Sequence, residues 1–223
     1  MTQQDFIFKI RQAYINARHY AYTPVSNSQS LTRGTSHSIS SLVEDLFGCY
    51  CAEKINNSSD VTIYIDPQLS FRGTNLKNKS GKKSLLIRPD IAIEKNGTIN
   101  CMFDLKTDLG YKRNELYKQA QERDNQIEAI KKSSAMNKDG ETKNQKELNF
   151  SENLKYIFVI ISQGNIKKNN LDDHIRQIRL LNNVEIYLLT TGDHLNTYNE
   201  FPKWEINSDD FDKLDQKIAE CFI

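Results

Sequence analysis

Two short strand-like segments separated by a tight turn constrain this chain more than any other feature. Residues Leu85 to Glu94 and Ile99 to Lys106 are apolar runs of strand length, and between them lies Lys95-Asn96-Gly97-Thr98. Asn and Gly tolerate positive φ, so Asn96-Gly97 is a strong signal for a two-residue hairpin turn and predicts antiparallel neighbours. Side chains alternate along a strand. Cys101, Phe103 and Leu105 therefore face one way, and Met102, Asp104 and Lys106 the other. In the first strand Leu85, Ile87, Ile91 and Ile93 share a side, with Asp90 and Ala92 opposite. In the simplest register, Asp90, Asp104 and Lys106 share one polar face. A carboxylate buried without a partner costs several kcal/mol, so Asp90, flanked by Ile87, Ile91 and Ile93, implies a partner or a task.

Two carboxylates and a lysine on neighbouring strands suit phosphodiester hydrolysis. Hard divalent cations such as magnesium take oxygen ligands. Asp90, Asp104 and the main-chain carbonyl of Leu105 supply three. A bound metal lowers the pKa of its water and neutralises phosphate charge. Lys106 is placed to orient the water or to stabilise charge. The competing structural role for Asp104 and Lys106 is a same-face ion pair at a sheet edge, worth about 0–1 kcal/mol if exposed.

Around the hairpin the periodicities give the order α-α-β-β-β-α-β-α-β-α. Phe6, Ile10, Ala13, Tyr14 and Ala17 mark a first helix, and Ile39, Leu42, Val43, Leu46, Phe47 and Tyr50 a second over about Ser36 to Ile55. Val61 to Ile65 is extended. A third helix runs from about Lys112 to Lys132, with Arg123 interrupting its apolar stripe. Residues 133–148 are polar and aperiodic and read as a mobile excursion. The apolar run LKYIFVIIS reads as a central strand, followed by a short helix at Leu171 to Leu181, the strand VEIYLLT and a terminal helix from near Asp210. The fold class is α/β, a central mixed β-sheet with helices on both faces. The 223 residues form one domain, 1–223.

The pair Pro89-Asp90 and Asp104-Leu105-Lys106 resembles the PD-(D/E)xK nuclease superfamily, the restriction-endonuclease-like fold. The resemblance covers mainly Ser36 to Lys132 and extends to the strand at Leu154 to Ile161, a catalytic core of about 36–161. It implies a magnesium-dependent endonuclease, with Mn2+ able to substitute, that cuts double-stranded DNA as a restriction-type enzyme, with a homodimer as partner state. Many members carry a further glutamate on the preceding helix, and Glu44 is the matching position. By helical geometry it lies roughly 60° from Phe47, at the edge of the apolar stripe. Members often place a glutamine or another polar residue on the helix after the lysine strand; Gln119 is the preferred candidate over Gln126. A repair or other defence nuclease, and an inactive nuclease-fold module that binds DNA or protein, are the alternatives.

Net charge is +1, which excludes a globally basic nucleic-acid coat. Arg72, Lys77, Lys79, Lys82 and Lys83, in a loop from Pro67 to Ser84 without acidic residues, are candidate DNA contacts, as are Arg88, Lys112 and Arg113. Cys49, Cys51, Cys101 and Cys221 lack zinc-site spacing and read as free thiols of a reducing compartment. His19, His174 and His194 lie near no cysteine or carboxylate at metal-site spacing. The amino terminus lacks signal-peptide order, and no apolar run reaches a membrane span, so a cytoplasmic location is expected.

Overall fold

The computed structural model describes residues 1–22, 38–55, 60–72, 84–109, 114–138, 143–164, 168–197 and 203–221. In chain order the elements are α1 (Gln3–Tyr22), α2 (Ser40–Lys54), β1 (Val61–Ile65), β2 (Leu69–Arg72), β3 (Ser84–Ile87), β4 (Ile91–Lys95), β5 (Thr98–Lys106), α3 (Leu116–Ile130), β6 (Ser134–Lys138), β7 (Gln145–Ile160), α4 (Lys168–Ile178), β8 (Val184–Leu188), β9 (Thr190–Gly192), β10 (Trp204–Ile206) and α5 (Ser208–Glu220). Strands order as β1-β4-β5-β7-β6-β2-β3, with β8 on β7; β9 and β10 pair separately. The contacts of β7 with β5 and β8 are parallel and the others antiparallel. The sheet is therefore mixed.

Strand alternation divides the core into two layers. Ile91, Ile93, Cys101, Phe103, Leu105, Ile157 and Val159 pack against Phe6, Ile7 and Ile10 of α1, Val43, Phe47 and Tyr50 of α2, and Phe211, Leu214 and Ile218 of α5. On the other face Ala92, Met102, Tyr156, Phe158 and Ile160 pack against α3 and α4. Central strands covered on both faces read as continuous apolar runs, which is why LKYIFVIIS has no polar alternation. Burying a Phe, Leu or Ile side chain contributes about 1.5–3 kcal/mol. Several such residues per helix outweigh modest helix propensity. Among the described residues, no helix is long and apolar enough to cross a membrane.

The hairpin forms as expected, with Asn96 and Gly97 at φ 50° and 81°. Its register is not the simplest one. The rungs Lys95↔Thr98 and Glu94↔Ile99 are followed by Ile93↔Cys101, Ala92↔Met102 and Ile91↔Phe103, leaving Asn100 as a bulge. A one-residue slip exchanges the faces of a strand. Without the bulge Asp90 would fall level with Phe103, on the face opposite Asp104, so the shared face expected of the simplest register does not follow from that register; the bulge shifts β4 by one residue up to its last rung, Ile91↔Phe103.

The expected single strand from Leu85 to Glu94 is two, β3 and β4, interrupted at Arg88-Pro89-Asp90. Leu85 and Ile87 consequently join the layer of Ala92 and Met102, not that of Ile91 and Ile93. Proline fixes φ and removes a donor, so Pro89 breaks the ladder. The registers Ile65↔Ile91 and Leu69↔Ile87 share one count across the gap, and the Asp66 N–H donates to the Asp90 carbonyl at 2.8 Å. β1–β2 and β3–β4 are thus one long two-stranded ribbon, bent at Asp66 and Asp90. The bend folds β2 and β3 over the α3 face, where β2 pairs with β6 and Phe71 meets Phe150 with ring centroids 4.9 Å apart.

Three further expectations are corrected. The excursion at 133–148 contains β6 and the start of β7, and Ala135 and Leu148 alternate into the core there; a strand with one exposed face looks polar in sequence. Leu69 to Arg72, inside the expected basic loop, is β2. Cys101 and Cys221 are disulfide-bonded, because the start of β5 meets the end of α5 across a separation of 120 residues. Cys49 and Cys51 are free, the former exposed and the latter buried.

Candidate active site

β5 is a central strand, so the Asp104–Lys106 pair stands at the carboxyl end of an interior strand and not at a sheet edge. The last main-chain bond from the β4 side is the Asp90 N–H to the Phe103 carbonyl, 2.9 Å. Beyond it the ribbon turns away, and the Asp90 side chain takes over. Its Oδ2 accepts the Leu105 N–H at 2.5 Å. A residue's N–H and C=O point to the same edge of a strand. The Leu105 carbonyl is therefore directed to the side where Asp90 sits and the ladder has ended.

Asp104 and Lys106 project together, as alternation requires, toward α3. Lys106 Nζ donates to Asp104 Oδ1. The Tyr156 hydroxyl donates to Asp104 Oδ2 at 3.3 Å, and the Arg123 guanidinium lies over the Tyr156 ring, 4.5 Å from its centroid. Arg123, which looked like a break in the α3 stripe, thus caps a buried tyrosine that holds Asp104. Glu44 approaches from α2, on the opposite layer, around the end of β4.

The electrostatics tie these groups together. Burial, then the negative charge of Asp104, pushes the Asp90 carboxyl up to about 6, with Glu44 adding to the rise; the Leu105 N–H and Lys106 oppose it. Glu44 is also raised, by burial and by Asp66, Asp45 and Asp104, against Lys106. Asp90 and Glu44 are thus each raised by neighbouring carboxylates, a concentration of negative charge that a cation relieves. Perturbed carboxyls lining a cleft are typical of functional sites.

A cleft of about 310 Å3 is lined by Ser40, Glu44, Asp90, Leu105, Lys106, Thr107, Asp108, Leu109, Leu116 and Gln119. A neighbouring groove of about 440 Å3 contains Asp104, Lys106, Lys118, Gln119, Arg123 and Gln126. Lys106 and Gln119 belong to both, so Gln119 stands between the two spaces. A larger cavity, about 600 Å3, lies at the other end of β5, beside Lys95, Asn100, Lys155, Lys217 and the Cys101–Cys221 bond. Carboxylates do not converge there. Lys217 pairs with Glu185 and Glu220, and Lys155 donates to the Asn182 carbonyl.

The structure thus brings Glu44, Asp90, Leu105, Lys106 and Gln119 to one cleft and Asp104 to the groove beside it, with Lys106 and Gln119 shared by both. Arg88 is exposed two residues before Asp90. Arg72 is the last residue of β2, paired with Ser84. Lys77, Lys79, Lys82, Lys83, Lys112 and Arg113 lie outside the described residues. Sequence reading missed Asp66, Tyr156 and the pairing of His194 with Asp108. His194 Nε2 lies 3.0 Å from Asp108 Oδ2 while Nδ1 accepts the Asn196 N–H, so Nε2 carries the proton. These partners are 86 residues apart, which hid them. Only Asp66 left a trace, as the Asp-Pro step that often opens a turn.

Among the described residues, no three His, Cys, Asp or Glu side chains stand ready arranged around a metal position. One oxygen of Asp104 is taken by Lys106 and one of Asp90 by the Leu105 N–H. The donor chemistry, carboxylate and carbonyl oxygen, nevertheless suits a hard divalent cation. No protein-family model, curated protein or solved structure matches the chain.

Proposed function

We propose that this chain is a metal-dependent endonuclease of the restriction-endonuclease-like fold, hydrolysing phosphodiester bonds of double-stranded DNA as a restriction-type enzyme and acting as a homodimer. The observation that carries this reading is the group at the end of β5: Asp90 bonded to the Leu105 N–H, with Asp104 and Lys106 projecting beside it. Asp90, Asp104 and the Leu105 carbonyl would hold Mg2+ or Mn2+, with Glu44 behind them. When bound, the metal supplies a water of lowered pKa and neutralises charge on the phosphate.

The chain's own residues do the rest. The bent ribbon fixes the Asp90 main chain between the Asp66 N–H and the Phe103 carbonyl, and its carboxylate accepts the Leu105 N–H next to Asp104. Tyr156 orients Asp104 through one oxygen, leaving the other to Lys106. With Asp104 engaged by a metal, Lys106 would be the ammonium available to the water or the phosphate. Gln119, between cleft and groove, is placed to hydrogen-bond the DNA backbone or the water.

A second reading is a nuclease-fold module that binds DNA without cutting it. The absence of a ready three-ligand arrangement among the described residues favours it. Incubation of the purified protein with mixed plasmid and phage DNA and magnesium, beside Asp104→Ala, separates the possibilities. Discrete fragments lost in the variant support the restriction reading, and a smear or a preference for junctions and mismatches supports another nuclease. Intact DNA that is still bound supports the module.

A further inference from the structure

Four non-glycine residues among those described have positive φ: Asp66, Asn96, Lys132 and Lys143. Asn96 is explained by the hairpin turn. Asp66, at φ 47°, lies directly across the ribbon from Asp90, and its N–H holds the Asp90 carbonyl at 2.8 Å. It falls between Ile65, the last rung of the β1–β4 ladder, and buried Pro67. Left-handed backbone is uncommon in a non-glycine residue, and Asp and Asn adopt it far more readily than most others.

The geometry points to Asp66 as a positioning residue for Asp90. Its left-handed backbone makes the bend in one ribbon strand that matches the Pro89-Asp90 break in the other. Its N–H then fixes the Asp90 main chain so that the carboxylate meets the Leu105 N–H. Two bonds hold Asp90 by its backbone, Asp66 N–H to its carbonyl and its own N–H to the Phe103 carbonyl. A third holds it by the side chain, at 2.5 Å. Without the bend, β1 and β4 would continue straight and Asp90 would become one more ladder residue, its side chain standing off the sheet rather than in its plane.

The rival role is charge, since the Asp66 carboxylate also acts on Glu44. The two separate by substitution. Asp66→Asn removes the charge and keeps the left-handed preference. Asp66→Gly removes the side chain and keeps the conformation. Asp66→Ala and Asp66→Val penalise the conformation, Val more. Asp66 is exposed, so the small Ala side chain is the arm that leaves the fold standing.

The consequence for catalysis rests on the nuclease reading, but the positioning can be measured without metal or DNA. In the full-length, metal-free protein, the Leu105 amide is followed by 15N-leucine NMR and hydrogen exchange. The wild type, Asp66→Asn and Asp66→Gly are expected to share one downfield, protected Leu105 resonance. In Asp66→Ala and Asp66→Val it moves upfield and exchanges about tenfold faster or more, with the rest of the spectrum retained. An unchanged Leu105 amide in Asp66→Ala overturns the inference. So does Asp66→Asn behaving like Asp66→Val, which would assign the effect to charge. Plasmid cleavage against magnesium concentration is read on the same samples. Wild-type inactivity alongside the expected NMR pattern refutes the nuclease reading and leaves the positioning role intact.

Discussion

Asp90 Oδ2 accepts the Leu105 N–H at 2.5 Å, at the point where the β4 ladder ends and β5 continues. A side chain thus replaces a strand neighbour. The same bond satisfies a main-chain donor and fixes a carboxylate beside Asp104. It also opposes the rise in Asp90's proton affinity that burial and Asp104 cause.

That rise gives a pH dependence. Asp90 is raised from 3.8 to about 6, so the folded protein binds the proton more tightly than the unfolded chain. Its contribution to the stability of the metal-free protein is present in acid and lost as pH rises through this window. Carboxyl 13C NMR should show a midpoint near 6 for Asp90, lower in Asp104→Asn and lower again with magnesium. An Asp90 midpoint that ignores both changes would separate it from Asp104 and from the metal.

Lys106→Ala is expected to leave folding intact and magnesium binding unchanged or tighter, because it frees Asp104 Oδ1. Cleavage should fall by about a hundredfold or more, the scale of a lost charge-stabilising group. Calorimetric titration beside cleavage rates checks this. Weaker metal binding or a lost fold would make Lys106 a structural partner of Asp104.

Tyr156→Phe removes only the hydroxyl that donates to Asp104 Oδ2. The neutral-to-carboxylate bond is long, so the cost to stability should be about 1 kcal/mol. Cleavage should drop several-fold, with a higher magnesium requirement. A variant with wild-type magnesium dependence would show that Tyr156 does not orient Asp104.

The Cys101–Cys221 bond closes a loop across 120 residues. Bonds of this kind typically contribute about 2–4 kcal/mol. Reduction, or Cys101→Ser, is expected to lower the melting temperature by several degrees. Alkylation of the unreduced native protein should label exposed Cys49 first. Rapid labelling of Cys221 without reductant would contradict the pairing.

Elements that announce themselves locally were legible in the sequence. Asn96-Gly97 placed the hairpin, the apolar run at 154–161 placed the central strand, and helical spacing placed α2 and the side of α3 that bears Gln119. Asp104 and Lys106 were legible as a same-face pair, but the face Asp90 was expected to share with them rested on the simplest register, which would put Asp90 level with Phe103. The bulge at Asn100 shifts that register, and no local residue preference marks that bulge. Long-range features left almost no local signal. The fold of the ribbon over α3, the hold of Tyr156 on Asp104, the His194–Asp108 pair and the Cys101–Cys221 bond depend on segments 50 or more residues apart meeting only in the folded chain.

The central claim is that Asp90, Asp104 and Lys106 form one metal-dependent site for cutting DNA. Its most direct measurement is conversion of supercoiled plasmid against magnesium concentration, by the wild type and by folded Asp104→Asn. The wild type should cut only with magnesium or manganese, and the variant at least about a hundredfold more slowly, since the charge stabilisation a bound metal supplies is worth several kcal/mol. Equal cleavage by both proteins, or wild-type cleavage undiminished by a chelator, would contradict the account.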